Sequence, residues 1–249
     1  MVASMVSKRI GEALSRIFNT KSGIALIDKP VGWTSFDVVA KIRGKIRQEY
    51  QAKGIRPTKK QLRVGHAGTL DPFATGLLII LLGDACKDAG SFLKLDKTYE
   101  FTAFLGKTST TGDPEGELTT QTDVQPSQQA IEAVLSHLQG EITQKPPVFS
   151  AIKINGQRAY KLAREGKVVE IPERKVIIHT LKLIEYNYPY LKCICEVSSG
   201  TYIRTLVEDI GKILQTGAYC KQLRRTTIGK FSIKDAQQVE DATLTLKGE

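Results

Sequence analysis

The chain contains no apolar stretch long enough to cross a bilayer: its longest run, Leu77 to Leu82, is six residues, where a spanning helix needs about 20. No membrane partner is expected. Cysteine is scarce, four in 249 residues, which is too few for a disulfide framework in a chain of this size. Cys193 and Cys195 would share one face of a strand, and together with Cys86 and Cys220 they are expected as reduced core thiols. There are three histidines, and His137 and His179 lie near no cysteine in sequence, so no zinc spacing exists and no metal is expected. No internal repeat at a period of about 20 to 50 residues and no low-complexity tract is present, which excludes solenoids and propellers. The phosphate loop is missing as well. Gly106, Lys107 and Thr108 echo its end, but position 101 is Phe where that loop requires glycine. Neither a dinucleotide-binding glycine fingerprint nor a G-x-S-x-G elbow occurs.

Acid is also in short supply. Lys and Arg number 36 against 26 Asp and Glu, a net charge of +10 and a pI near 9.4. A charge of this sign attracts polyanions by counterion release, so nucleic acid is the leading partner class, with plain solubility as the alternative. Hydrophobic residues make up 41% and charged residues 25%, the mix of an ordinary folded protein. Residues 1–22 lack the apolar core of a secretory signal and read as an N-terminal arm or helix of a cytoplasmic protein; their basic, Ser-containing character leaves an organellar transit peptide as the alternative.

The periodicities alternate between strand and helix. "GIALIDKP" reads as a buried strand ended by a turn. Thr34 and Asp37 form a capping box for a helix carrying Phe36, Val38, Val39, Ile42 and Ile46. Residues 48–63, with Gly54 and Pro57, read as a basic exposed loop. "YEFTAFLG" is a half-buried strand followed by a turn-rich loop or hairpin. Pro126 opens a helix that Gly140 ends. "AIKINGQRAY" has the Asn-Gly signature of a tight hairpin, with a short helix near Ala159 to Glu165 after it. "VIIHTLKLIEY" and "LKCICEV" are strands, Ile203 to Leu214 has helical spacing with Arg204 in its first turn, and a last strand lies near "TTIGKFSI". Several strands are too close for crossover helices, so the expected fold is α+β, with a mixed, largely antiparallel sheet flanked by helices.

The stretch "GHAGTLDPFATGLL", residues 65–78, concentrates three glycines, His66 and an Asp-Pro pair just before the longest apolar run. Pro72 keeps Asp71 out of helical conformation, and the glycines permit close approach of another chain. On physical grounds alone the stretch is either a turn entering a buried strand or a loop that presents a carboxylate. It resembles the motif around the reactive aspartate of the TruB family of tRNA pseudouridine synthases, G-H-x-G-x-L-D-P-x-A-T-G. Further segments are similar to that family in the same order: "DKPVGWTSFDVV", "KTYEFTAFLGKTSTTGDPEGE", "QKPPVFSAIKINGQRAYKLAREG", "SSGTYIRTLVEDIG" and "LRRTTIGKF". They run from about residue 24 to 231.

The resemblance implies a pseudouridine-synthase-like fold with a thumb-like RNA-binding insertion at 146–173. It implies one catalytic domain over 23–240, with a tail at 241–249. It also implies isomerisation of uridine in the tRNA T-loop to pseudouridine, without cofactor or metal. Asp71 matches the catalytic aspartate, and Arg204 the basic residue that pairs with it and favours its ionised form. Tyr99 matches the ring that stacks on the flipped base, His66 a residue lying against the RNA, and Leu223 a wall of the pocket. Lys29 and Pro30 match supports of the active-site loop. Lys41, Lys45, Lys53, Arg56, Lys59, Lys60 and Arg63 are expected on phosphates, as are Lys153, Arg158, Lys161 and Arg164 of the thumb. The expected partner is the T-arm of tRNA, bound by a monomer with no obligatory protein partner. Two departures from the family stand out: the seventeen residues after Ser232 are too few for the usual C-terminal PUA domain, and the loop at 48–63 is longer than usual. The rival readings are a non-catalytic RNA-binding or RNA-folding protein on the same scaffold, and a guide-RNA-dependent relative.

Overall fold

The computed structural model describes residues 23–148, 153–154, 157–158 and 171–242. In chain order the elements are β1 (Ile24–Lys29), α1 (Ser35–Ala52), β2 (Val64–Ala67), β3 (Thr75–Leu82), α2 (Ala89–Leu93), β4 (Lys97–Leu105), β5 (Lys107–Ser109) and β6 (Leu118–Thr120). They continue with α3 (Gln128–His137), β7 (Gly140–Gln144), β8 (Lys153–Ile154), β9 (Gln157–Arg158), β10 (Arg174–Asn187) and β11 (Tyr190–Val197). The last are α4 (Ile203–Ile213), β12 (Ala218–Ile228), β13 (Phe231–Ser232) and β14 (Gln237–Gln238). Two compact units divide the chain: residues to Leu95 with those from Arg225 onward, and Asp96–Arg224. Strand β12 contributes its last four residues to the first unit and the rest to the second.

In the first unit β1 lies between β14, its parallel neighbour, and β3, with which it pairs antiparallel from Ile24 opposite Leu81 to Lys29 opposite Gly76. The C-terminal half of β3 also pairs with β2, His66 opposite Ile80. Strand β3 reads TGLLIILL and is buried on both faces, which explains an unbroken apolar run where one wet face would have forced alternation. Leu78 and Ile80 join Val38, Val39, Ile42 and Ile46 of α1 in one cluster. Leu77, Ile79 and Leu81 face a second cluster with Phe92, Leu95 and Phe231.

Helix α1 begins as the sequence predicts, with the Thr34 side chain accepting from the Asp37 amide and Asp37 accepting from the Thr34 amide. It ends later than expected. The first five residues of the stretch 48–63 are helical, because Tyr50 still packs on the α1 cluster and Gly54, at φ +69°, comes only after the last turn. The basic loop proper therefore starts at Lys53.

In the second unit the strands run β12, β4, β11, β10, β7, with β4–β11, β11–β10 and β10–β7 antiparallel. Along β4 the residues Lys97, Tyr99, Phe101, Ala103 and Leu105 are buried in strict alternation. Helix α3 packs on β10 and on α4, and α4 packs on β4. Strands β5 and β6 form the hairpin expected of the turn-rich segment, and β8 pairs with β9 across the Asn-Gly position. Strand β12 starts at Ala218, earlier than the strand expected near Thr226, because Gly217 at φ +67° turns the chain straight out of α4 and Tyr219, Cys220 and Leu223 are already buried. The four cysteines are free thiols, and burial pushes Cys193 up to about 12.

Candidate active site

Of the residues singled out in the sequence, Asp71, His66, Lys29 and Pro30 belong to the first unit, and Tyr99, Arg204 and Leu223 to the second. Asp71 is half-buried on the loop that leaves β2 and enters β3. The main chain of that loop is fixed from several directions. Arg225 of β12 donates from Nη2 to the Gly68 carbonyl at 3.0 Å, from Nη1 to that of Thr69 at 3.5 Å and from Nε to that of Leu77 at 2.8 Å. Ser35, the first residue of α1, accepts from the Leu70 amide at 2.8 Å and donates to the Leu70 carbonyl at 3.1 Å. Lys29, completely buried at the end of β1, donates to the carbonyls of Trp33 at 2.6 Å, Pro30 at 2.9 Å and Pro72 at 3.3 Å. Two glycines make this geometry possible. Gly68 and Gly76 have φ +100° and +105°, in the region that side chains other than glycine rarely enter. A Cβ at Gly76 would collide with the main chain of Arg225.

In the second unit Arg204 is only 3% exposed although it lies in the first turn of α4. Its Nη1 donates to the Thr111 carbonyl at 2.7 Å and to Oδ2 of Asp113 at 3.1 Å. Asp113 is itself fixed: Oδ1 accepts from the Thr111 hydroxyl at 2.6 Å and from the Glu115 amide at 3.0 Å. The turn between β5 and β6 thus holds the guanidinium in place. Glu208, one turn along α4, has its carboxyl pKa raised by burial, partly offset by the nearby Arg204 charge. Gly112, at φ +73°, leaves room for that carboxylate where a Cβ would strike it. Tyr99 on β4 and Leu223 on β12 are both buried. Just ahead of α4, the Tyr202 amide donates to Oε1 of the buried Gln144 at 3.0 Å, and the Arg174 guanidinium lies 4.7 Å from the Tyr202 ring centroid.

Several of these contributors are not evident from the sequence. Asp113 is legible there only as one acid in a turn-rich segment, and its partner is 91 residues away. Arg225 carries only a weak signal: it follows Leu223 by two residues and so shares its buried face of β12, where a charged group demands hydrogen-bond partners.

The basic residues differ in how they are engaged. Lys45 donates to the carbonyls of Glu240 and Ala242 and so ties down the end of the described chain. Lys60 pairs with Asp84 at 2.7 Å. Lys41, Lys53, Arg56, Lys59 and Arg63 are exposed. The backbones of Lys153 and Arg158 pair across the β8–β9 hairpin, and Lys161 and Arg164 lie outside the described residues.

Comparison with known proteins adds independent findings. The family profile described as "TruB family pseudouridylate synthase (N terminal domain)" matches residues 55–203, and one described as "tRNA pseudouridylate synthase B C-terminal domain" matches 204–249. A tRNA pseudouridine synthase B of Pseudomonas fluorescens is 44% identical over 228 residues, 92% of this chain and 70% of that protein. Another, of Endomicrobium trichonymphae, is 40% identical over 229 residues, 92% of this chain and 94% of that protein. Among solved structures, a chain of a Cbf5-Nop10-Gar1 complex superposes with a TM-score of 0.65 at 27% identity over 88% of this chain and 53% of that longer chain.

Proposed function

The chain belongs to the TruB family of pseudouridylate synthases, and on that premise we propose that it is an RNA-modifying isomerase converting uridine 55 in the tRNA T-loop to pseudouridine. The reaction breaks the N1–C1′ glycosidic bond, turns the uracil, and joins C1′ to C5, releasing the C5 hydrogen to solvent. It needs a base lifted from its stack, a carboxylate in a defined place, and exclusion of water while the base is detached.

The observation that carries this proposal is the loop of Asp71. A carboxylate that merely decorates a turn has no use for a main chain bonded by Arg225, Ser35 and Lys29 from three other elements. A reacting carboxylate does, because attack geometry tolerates little displacement. Asp71 is assigned as the group that reacts, and Arg204, anchored through Asp113, as the cation that serves it. Tyr99 stacks on the base, Leu223 walls the pocket, and His66 and Pro30 shape the loop side. Lys41, Lys53, Arg56, Lys59 and Arg63 meet phosphates, as do Lys153, Arg158, Lys161 and Arg164 of the thumb-like segment. Lys45 and Lys60 contribute through the structure of that surface instead. The protein acts alone, as a cytoplasmic monomer; among the described residues no helix is long and apolar enough to cross a membrane.

Purified protein should release tritium from unmodified tRNA labelled at C5 of uridine, and Asp71→Asn should lower that release by about 10³-fold or more, the scale of removing an essential reacting group. Activity that survives in the variant contradicts the assignment. A wild-type protein that binds tRNA without releasing tritium supports the non-catalytic binder instead.

A further inference from the structure

Loops at a protein surface ordinarily leave most of their carbonyls to water. From Gly68 to Pro72 the opposite holds, and five successive carbonyls each accept from a defined donor: Arg225 for Gly68 and Thr69, Ser35 for Leu70, the Ala74 amide for Asp71, and Lys29 with the Gly32 amide for Pro72. Among these donors Arg225 stands out by a combination of three properties, the first two of which it shares with Lys29. It is 1% exposed and heads the largest fully buried side chains among the described residues. It is a cation, whose removal from water is costly unless its donors are satisfied. And it reaches both legs of the loop, Gly68 and Thr69 on the way in and Leu77 on the way out.

An apolar residue in the same strand position would have filled the space without the desolvation cost. What it could not do is set the separation of the two legs. A guanidinium is a rigid planar fork whose N–H directions are fixed relative to one another, so the Nε bond to Leu77 and the Nη bonds to Gly68 and Thr69 define one loop width. The Arg225 main chain, pressed against Gly76, anchors the fork at the point where β3 begins.

We propose that Arg225 is a positioning residue of the reaction: by spanning the entry and exit legs of the loop it fixes where the Asp71 carboxylate stands. It touches the loop and acts on the substrate only through Asp71. This inference rests on the assignment of Asp71 as the reacting group.

The test is single-turnover pseudouridine formation at saturating tRNA, read as rate constant and end point, beside the tRNA Kd and the thermal midpoint, for wild type, Arg225→Lys, Arg225→Met and Ser35→Ala. Arg225→Met should lower the rate constant by about 10²-fold, the loss expected for a displacement near 1 Å. Arg225→Lys should recover part of it, and Ser35→Ala, which removes only the hydrogen bonds to Leu70, should lower the rate constant about tenfold. In each case the Kd stays within about twofold and the end point is reached, only more slowly. A merely structural role gives another pattern, an end point reduced in proportion to folded protein at the wild-type rate constant, and that result overturns the proposal. Should Arg225→Met not fold, wild-type rate constants in both Arg225→Lys and Ser35→Ala overturn it equally. A wild-type protein without activity defeats the functional assignment and this inference with it, whereas an active wild type with indifferent variants defeats this inference alone.

Discussion

A methyl group added at Gly76 would meet the main chain of Arg225 head-on, at a backbone φ of +105° that alanine resists on its own account. Gly76→Ala should therefore destabilise the protein by more than about 2 kcal/mol, read from urea or thermal unfolding; a change within about 0.5 kcal/mol, as for an ordinary surface substitution, would show that the strand and the loop yield easily. Glu208 offers a residue-level test with a sign. Burial raises its carboxyl pKa in the fold, so folding opposes its ionisation. The resulting penalty is absent below the ordinary glutamate value of about 4.3 and grows as pH rises through the raised value. Glu208→Gln should be more stable than wild type near neutrality, with the advantage vanishing toward about pH 4; an advantage independent of pH would mean the effect lies in packing. Single residues also show where sequence reading fails. Arg204 stands out only through resemblance to a family, since burial and ion pairing with a residue as remote as Asp113 leave no local periodicity, whereas Asp71 shows locally as a carboxylate in a glycine-rich loop and only its role comes from the resemblance. Arg225 hides in a run of two arginines whose twin, Arg224, is only half-buried.

At the scale of elements the local rules carry further. The Thr34 capping box is formed as written in the sequence, and the alternation along β4 and the double-sided burial of β3 follow from their apolar patterns. The cap also makes a prediction. Thr34→Ala should cost about 1 kcal/mol. The Thr34 hydroxyl and amide hold the Asp37 carboxyl below its ordinary value, so this contribution is present above the ordinary aspartate pKa and is lost as pH falls through the lowered one. The cost of Thr34→Ala should accordingly shrink in acid, measured by unfolding at matched pH; an unchanged cost would place the effect in the hydroxyl alone. Element ends are less legible, as the late end of α1 and the early start of β12 show. Both depend on what a residue packs against, Tyr50 in one case and Tyr219 in the other, and such neighbours come from distant parts of the chain.

For the molecule as a whole, the excess of positive charge bears on how tRNA is held. Arg56, Lys59 and Arg63 are exposed on the stretch after α1, and replacing all three with serine should flatten the dependence of log affinity on log salt by about 0.7 to 0.9 for every phosphate that is no longer neutralised. Filter binding across salt concentrations measures this, and an unaltered slope would show that the tRNA passes elsewhere. The basic composition is visible at once, but composition cannot tell a lysine that meets a phosphate from Lys45, which grips Glu240 and Ala242. That grip belongs to a wider feature. The first unit is made from two lengths of chain with the entire second unit between them. On a ribosome, residues 23–95 emerge long before Arg225 and the carbonyls that Lys45 holds, and domains fold as their residues become available. The aspartate is thus synthesised early and its frame late. A nascent or prematurely terminated chain carries the carboxylate without the Arg225 side chain, so under the proposed assignments the order of synthesis itself withholds catalysis until Arg225 has emerged.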